Sequence, residues 1–520
     1  MLKKNTHRKL YIFFISCLAA SISLGKFPMS LFLIGLFLNW VLELDFKLKW
    51  ERIKNHNYLP IIFAGLFLIE LFWLPLSSDL ITGLNVLRIK LPLLLLPIII
   101  GTSGQFSKKE SKIIVSTFLL GIIISTILVY LVDLGLLNTK KNSGTVRDIS
   151  IFMSHIRYSI LLSYTAILIL FLAIKKKAIS LGLILFFLWI VFIIFKLATI
   201  TAILGLLFAT FSIAIKELVS LKKRIKKIYI LITLGFFIVF GFYVGLIIKD
   251  YFHLKSHERA TQTHSLGGEE YSHNLQDNTT ENGFFIWENI AKKELKLAWK
   301  KRSKIPFEGK DIKGQPLKKT LLRYLTSKGL KKDREGLMTL TEKEINLIEN
   351  GRTTSKEYSN LQIRIRSLLH ESVAYTKNTN PNNQTVTQRL LFWKTGKEIF
   401  FKKPLFGYGP GGAKVRYNNY YQTQETPLLE ANQLLAHNQF LTQLINLGIL
   451  GFIIWITIIF YVFTQIKKEL ISIFIPYLVL MFLSFLSDDM LEVQAGVTIF
   501  SLIGTIILFS DSTFTTEKKS

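Results

Sequence analysis

The sequence predicts an all-α polytopic membrane protein with about twelve transmembrane helices and a large helical segment outside the membrane. Half of the residues are hydrophobic, 41 of them are Phe, and the mean hydropathy is +0.38. Apolar residues also fall in blocks of roughly 16 or more, enough to cross bilayer hydrocarbon. This composition excludes a disordered, collagen-like or disulfide-rich secreted protein. The single cysteine excludes an internal disulfide and a cysteine-based metal site.

The apolar segments are predicted to be separate spans. The seventh and eighth are joined almost directly, so one long kinked hairpin is an alternative. The first apolar segment follows several basic residues, which is also typical of a signal peptide. The residues up to Cys17 resemble a lipoprotein box. A retained first span is preferred, because another apolar segment follows at once. The segments are 10–24, 27–44, 58–76, 87–100, 112–132, 156–174, 179–195, 198–215, 228–248, 444–463, 470–486 and 496–510.

The distribution of Lys and Arg predicts the orientation. With both termini in the cytoplasm, the inner segments hold 24 Lys and Arg and the short outer segments hold eight. Residues 249–443 are then extracytoplasmic and carry 32 Lys and Arg against 20 Asp and Glu. A long outer segment is exempt from the charge rule, so its surplus suggests an anionic ligand. The predicted division is therefore 1–248, 249–443 and 444–520.

Local signals predict helices within the outer segment. Thr341 and Glu344 form a capping box, and Gly351 is placed to end that helix. Residues 289–302 predict a basic helix, either against anionic lipid or in solvent. Residues 376–385 are typical of a polar linker.

His437 is the first candidate for chemistry, since it directly precedes the tenth apolar segment at the outer membrane edge. A neutral imidazole can accept a proton from a hydroxyl near neutral pH. The neighbouring Asn438 is a candidate for orienting an acceptor. The alternative is an interfacial histidine that only anchors the helix.

Arg389 is the second candidate, because a guanidinium at an interface can grip a diphosphate by bidentate hydrogen bonds. A snorkelling cation beside lipid headgroups is the alternative. A glycine turn follows, and its backbone N–H groups suit either phosphate binding or a simple tight turn. Its glycines are Gly407, Gly409, Gly411 and Gly412.

Further charged residues are predicted at the same membrane face. The cations are expected to form an anion pocket, although any one could be a lipid anchor. Two acids of the last outer turn are candidates for binding sugar hydroxyls or for a solvated turn. Glu70 has no partner that the sequence identifies, and no metal site is predicted. The cations are Arg88, Lys90, Arg157 and Lys196, and the acids are Asp488 and Asp489.

Two stretches carry a family resemblance. QRLLFWKTGKEIFFKKPLFGYGPGG at 388–412 and AHNQFLTQLINLGILGFIIW at 436–455 together resemble the O-antigen ligase and polymerase superfamily. The pattern is an Arg and Trp helix, a Gly-x-Gly turn, then His-Asn before a membrane helix with Gly-x-x-Gly. One departure lies at Ile200, where the family commonly has arginine; Lys196 or Arg157 is a candidate replacement. The insert at about 285–375 is longer than the ligase pattern requires.

The resemblance implies a GT-C-like glycosyltransferase of the bacterial inner membrane, active at the periplasmic face. Such enzymes move a glycan from undecaprenyl diphosphate to lipid A-core or another surface acceptor, as in lipopolysaccharide biosynthesis. His437 matches the family histidine proposed to activate the acceptor hydroxyl, and Arg389 matches an arginine proposed to bind the diphosphate. Direct inverting displacement is implied, with no cofactor, metal, nucleotide-sugar donor or nucleic acid.

Other functions stay open at this point. An O-antigen polymerase differs from a ligase only in its acceptor, and a protein O-oligosaccharyltransferase uses the same chemistry. A lipid or anion transporter suits the many spans, but the sequence shows no internal repeat. A metal-dependent oligosaccharyltransferase is disfavoured, because its first outer loop should carry acids and here that loop is only about Gly25-Lys26.

Overall fold

The computed structural model describes residues 3–137, 149–175, 181–220, 223–255, 261–376, 381–382 and 384–510. The described chain is predominantly helical, and its two strands have two residues each, which confirms the all-α prediction. It divides into two compact units. The first comprises residues 1–137, 149–234 and 371–520, and the second comprises 138–148 and 235–370. The three-part division predicted above stays a prediction.

Most helices of the first unit overlap the predicted apolar segments; the exceptions are 46–55 and the helices between 371 and 423. They are α1 Lys4–Ser21, α2 Lys26–Leu42, α3 Phe46–Asn55, α4 Leu59–Trp73, α5 Leu80–Thr102, α6 Lys108–Asp133, α7 His155–Lys175, α8 Leu181–Leu197, α9 Ile200–Ser220 and the start of α10 Lys223–Phe252. After the second unit follow the end of α15 Asn360–Thr376, α16 Thr385–Lys402, α17 Gly412–Thr423, α18 Gln439–Thr464, α19 Ile471–Ser487 and α20 Gln494–Phe509.

By strict criteria of length and hydropathy, fewer described helices qualify as membrane spans than the predicted twelve. Six described helices are long and apolar enough to cross a membrane, and a bent pair of α2 and α3, at 107°, makes a possible seventh. Helices α8 and α20 and the first part of α9 are apolar but shorter than 18 residues. The chain is thus a multi-pass membrane protein, whereas the count of twelve is not confirmed.

The fourth predicted span is wrong in its start. Helix α5 begins at Leu80 rather than near residue 87, and the Asp79 side chain caps it by accepting from the Ile81 N–H. Arg88 and Lys90 therefore lie well inside a helix of 23 residues. Their charges interrupt the apolar run in the sequence, but the Lys90 charge is neutralised by partners on other helices. The predicted break between the seventh and eighth segments is present, at Ala198.

The second unit is a small helical domain with a short hairpin. It contains β1 Thr280–Glu281, β2 Phe284–Phe285, α11 Lys292–Arg302, α12 Leu317–Ser327, α13 Arg334–Met338, α14 Glu342–Glu349 and most of α15. Trp299 and Tyr324 are fully buried in its core. The capping box of Thr341 and Glu344 is confirmed at the start of α14. The predicted basic helix is confirmed as α11.

A backbone break divides α18 at Gly448, and the glycine turn fills it. Gly448 has φ 63° and ψ −174°, so the helical hydrogen bonds stop there. The N–H groups of Tyr408 and Gly409 donate to the carbonyls of Ile445 and Asn446, at 3.0 and 2.8 Å. The Ile449 N–H in turn donates to the Pro404 carbonyl at 2.8 Å. The turn thus satisfies polar groups that a broken membrane helix would otherwise leave unpaired.

Gly448→Ala tests this fit. We expect it to lower the thermal stability of the purified protein, because the backbone conformation is one that only glycine adopts easily, at a strain of about 1–3 kcal/mol. A Cβ at this position would also contact the Leu405 carbonyl oxygen. Gly182→Ala in α8 is the control, since nothing lies within 4 Å of its added Cβ. Equal melting temperatures for the two variants would contradict the interpretation.

Candidate functional site

His437 is held at the start of α18 in an unusual backbone conformation. Its φ is 46°, in the left-handed region that few residues other than glycine adopt. The His437 N–H donates to Oδ2 of Asp489 at 2.9 Å, and Asn438 caps α18 by accepting from the Leu441 N–H at 3.1 Å. These two bonds determine where the imidazole lies. They also give Asn438 a structural role beside its predicted acceptor role.

The imidazole lies beside a buried carboxylate. Nδ1 of His437 is 3.7 Å from Oδ1 of Asp488, beyond hydrogen-bond distance, and has no hydrogen-bond partner among the described residues. The Nδ1 atom is buried, yet a third of the side chain is exposed. The imidazole is therefore partly accessible to a substrate, although its Nδ1 atom is not.

Asp488 is an ion-pair partner of Arg157. Nε of Arg157 lies 2.7 Å from Oδ2 of Asp488, and Nη2 donates to Oδ1 at 3.0 Å. Burial acts to raise the pKa of Asp488, but the His437 imidazole and the charges of Arg157 and Arg389 outweigh it and lower that pKa below its ordinary value. Asp488 is therefore charged at neutral pH, and it lies between the His437 imidazole and the Arg157 guanidinium.

Arg389 reaches the same group of residues from α16. Its Nη2 donates to the Ser487 carbonyl at 2.8 Å, directly before Asp488. On the same helix, Nε1 of Trp393 donates to the Ala436 carbonyl at 2.9 Å, directly before His437. The structure thus places Arg389 and His437 next to the same short segment, 487–489. We call His437, Asp488, Asp489, Arg157 and Arg389 the polar cluster.

Asp489 is the member of the polar cluster that binds the first residues of α18. Its Oδ1 accepts from the Thr442 hydroxyl at 2.6 Å and its Oδ2 from the His437 N–H. Burial raises the pKa of Asp489 to about 6. Asp488 is 3% exposed and Asp489 5%, so neither presents surface to a sugar. We therefore correct the predicted acceptor role of these two acids, because both are engaged in holding the cluster together.

Three predicted cations lie outside the polar cluster. Lys196 pairs with Asp133 at 2.8 Å, and Arg88 is exposed on α5. Lys90 is fully buried, with Nζ 2.6 Å from a Glu70 oxygen and 2.7 Å from a Glu492 oxygen. The prediction that Lys90 binds diphosphate is therefore corrected, because its ammonium is paired with these two carboxylates. Position 200, where the family arginine is missing, begins α9.

The glycine turn has a structural use. The N–H groups of Gly407, Tyr408, Gly409 and Gly412 all donate to backbone carbonyls of the chain. They are not available to a phosphate. The tight-turn alternative therefore explains these residues, and the predicted phosphate contact is corrected. Gly411 has φ 76° and adjoins Thr82 of α5.

Sequence reasoning missed the partners of Glu70. Gln443 donates to Glu70 at 3.1 Å and Gln439 donates to Glu492 at 3.2 Å. The available signal was the four-residue spacing of these glutamines, which places both on one face of an otherwise apolar helix. No group of three or more His, Cys, Asp or Glu residues in the described chain is arranged to hold a metal.

These features define a class: a multi-pass helical membrane protein with a histidine and two arginines converging on residues 487–489, just beyond a helix end. A family model described as O-antigen ligase matches residues 353–456, which include Arg389, the glycine turn and His437. This match confirms the resemblance drawn from the sequence. No curated protein matches the chain.

The raised pKa of Asp489 predicts a pH-dependent stability. Between the ordinary value of 3.8 and the raised value of about 6, the unfolded chain is ionised while the folded carboxyl keeps its proton. Folded wild-type protein therefore loses stability as pH rises through this window. We expect its melting temperature, relative to Asp489→Asn, to fall between about pH 4 and 6 and then to level off.

Asp79→Asn is the control for this measurement. Hydrogen bonds, first from the Thr82 side chain, lower the pKa of Asp79, so its contribution has the opposite sign. Wild-type stability relative to Asp79→Asn should rise with pH. A pH-independent difference for Asp489→Asn would refute the assigned burial effect.

Proposed function

We propose that this chain is a membrane glycosyltransferase of the O-antigen ligase type. It transfers a glycan from an undecaprenyl diphosphate carrier to a surface acceptor such as lipid A-core. The supporting observation is the convergence of His437, Arg157 and Arg389 on residues 487–489. The match of residues 353–456 to the ligase family model supports the same reaction class.

The proposed reaction is a direct displacement at the anomeric carbon. The acceptor oxygen forms a bond to this carbon while the bond from carbon to diphosphate breaks, which inverts the configuration. The hydroxyl proton passes to Nε2 of His437, the ring nitrogen other than the Nδ1 that faces Asp488. Asp488 faces Nδ1 and stabilises the resulting imidazolium, and the 3.7 Å separation shortens when substrate binds.

Diphosphate needs its developing charge neutralised before it can leave. Arg389 is assigned this role, and Arg157, held by Asp488, adds positive charge beside it. Fixed cations act strongly in a poorly hydrated site and cost no reorganisation during the reaction. The guanidinium groups thereby supply the electrostatic stabilisation, and the proposed reaction uses no metal. Lys90 has no role in binding the diphosphate in this proposal, because it is paired with Glu70 and Glu492.

We place the polar cluster at the periplasmic face of the bacterial inner membrane, with both termini in the cytoplasm. The distribution of Lys and Arg supports this orientation. The lipid tail of the donor is then embedded in the outer leaflet, from which its diphosphate reaches the polar cluster.

The first prediction concerns the two assigned side chains. His437→Ala and Arg389→Ala should each lower the rate of glycan transfer by about a hundredfold or more, because a lost charge-stabilising contact costs at least that much. Lys402→Ala, on the same helix as Arg389, is the control. Transfer is measured with purified variants that insert normally. Wild-type surface glycan in a strain with only His437→Ala would exclude the histidine from the chemistry.

The second prediction concerns the acceptor and the metal. Purified protein in liposomes, given a polyprenyl-diphosphate-linked glycan and lipid A-core, should transfer the glycan equally with and without chelator. In cells, deletion should leave fully polymerised chains on the carrier. Accumulation of single repeats would instead identify a polymerase, and loss of activity with chelator would disprove the metal-free reaction.

A further inference from the structure

Lys90 is the centre of a buried charged triad inside the first unit. Its ammonium lies 2.6 and 2.9 Å from the two oxygens of Glu70 and 2.7 Å from Oε1 of Glu492. Lys90 and Glu70 are completely buried, on α5 and α4. We call Lys90, Glu70 and Glu492 the triad.

The triad connects three helices to the turn between α19 and α20. Glu492 lies at the end of this turn, which runs from Asp488 to Glu492 and contains one short 3₁₀ segment. Gln443 of α18 donates to Glu70, and Gln439 donates to Glu492. Gln439 also accepts from the Leu491 N–H at 2.6 Å. The triad therefore holds one end of the turn.

The other end of the same turn carries the polar cluster. Asp488 and Asp489 bind Arg157, Thr442 and the His437 backbone. The turn is only five residues long, so a shift of Glu492 moves both aspartates. Such a shift would alter the distance from Asp488 to the imidazole.

The cost of burying the triad indicates that it does more than stabilise the fold. Removing two carboxylates and an ammonium from water is expensive, and apolar residues of similar size are often as stable or more so. Ionisable residues inside a membrane bundle are by default functional candidates. Charged hydrogen bonds also set geometry more narrowly than apolar contacts do.

We propose that Lys90 is a positioning residue for the transfer reaction: through Glu492 it fixes the 488–492 turn, and so Asp488 opposite His437. This role rests on the proposed function. Lys90 itself touches no substrate. The triad determines the geometry of the polar cluster from within the bundle.

The test compares Lys90→Met with a neutral triple variant, K90M/E70Q/E492Q, in full-length protein. Lys90→Met leaves two buried carboxylates unpaired and should reduce folded protein. The triple variant has no unpaired charge and should regain the wild-type melting temperature. We expect its kcat to stay at least about tenfold low with an unchanged KM for donor, because small misplacements of catalytic groups are costly.

A second measurement does not depend on activity. Hydrogen–deuterium exchange of a peptide covering 486–494 should be faster in the triple variant than in wild-type protein. Lys49→Met is the matched control, since Lys49 is a buried lysine 3.3 Å from Glu43 and contacts none of the turn residues. It should leave kcat and this exchange unchanged.

The outcomes separate the two proposals. Wild-type kcat and exchange in the triple variant would overturn the positioning role and leave the proposed function intact. An equal loss of kcat in Lys49→Met would also overturn it, since any buried lysine would then suffice. If wild-type protein transfers no glycan, the proposed function fails. The exchange result then decides alone whether the triad holds the turn.

Discussion

The ion pair between Arg157 and Asp488 is the interaction on which the arrangement of the candidate site depends. It joins α7 to the turn after α19, although the two residues are far apart in sequence. The guanidinium also helps to keep a buried carboxylate charged, since burial alone would favour the neutral acid. A charged Asp488 can then face the His437 imidazole. Without Arg157, the buried carboxylate would lose its ion-pair partner.

Helix α18 contacts both the polar cluster and the triad. Its first turns present Thr442 to Asp489 and Gln443 to Glu70, and its cap is Asn438. The break at Gly448 separates this polar first half from an apolar second half. One helix therefore serves as a wall of the site and as a membrane span, and the glycine turn satisfies the backbone at the junction.

Local structure, such as helix positions and caps, could be predicted from the sequence, but the pairing of residues far apart in the chain could not. Helix positions followed from apolar length, and the cap at Thr341 from a four-residue pattern. His437 and Arg389 stood out because they occur at helix ends in a recognisable motif. The partner of Glu70 lies 20 residues away and Glu492 a further 402 beyond Lys90, so only the fold brings them together. Sequence therefore placed Lys90 in the wrong environment.

The bond from Trp393 to the Ala436 carbonyl has a consequence for substrate size. It links the helix bearing Arg389 to Ala436, the residue before His437, so the imidazole and the guanidinium are carried by segments that are bonded to each other. The gap between them is then set by the protein rather than by the ligand. In the proposed reaction only the diphosphate-linked end of the glycan enters this gap, so short and long glycans would present the same reacting end.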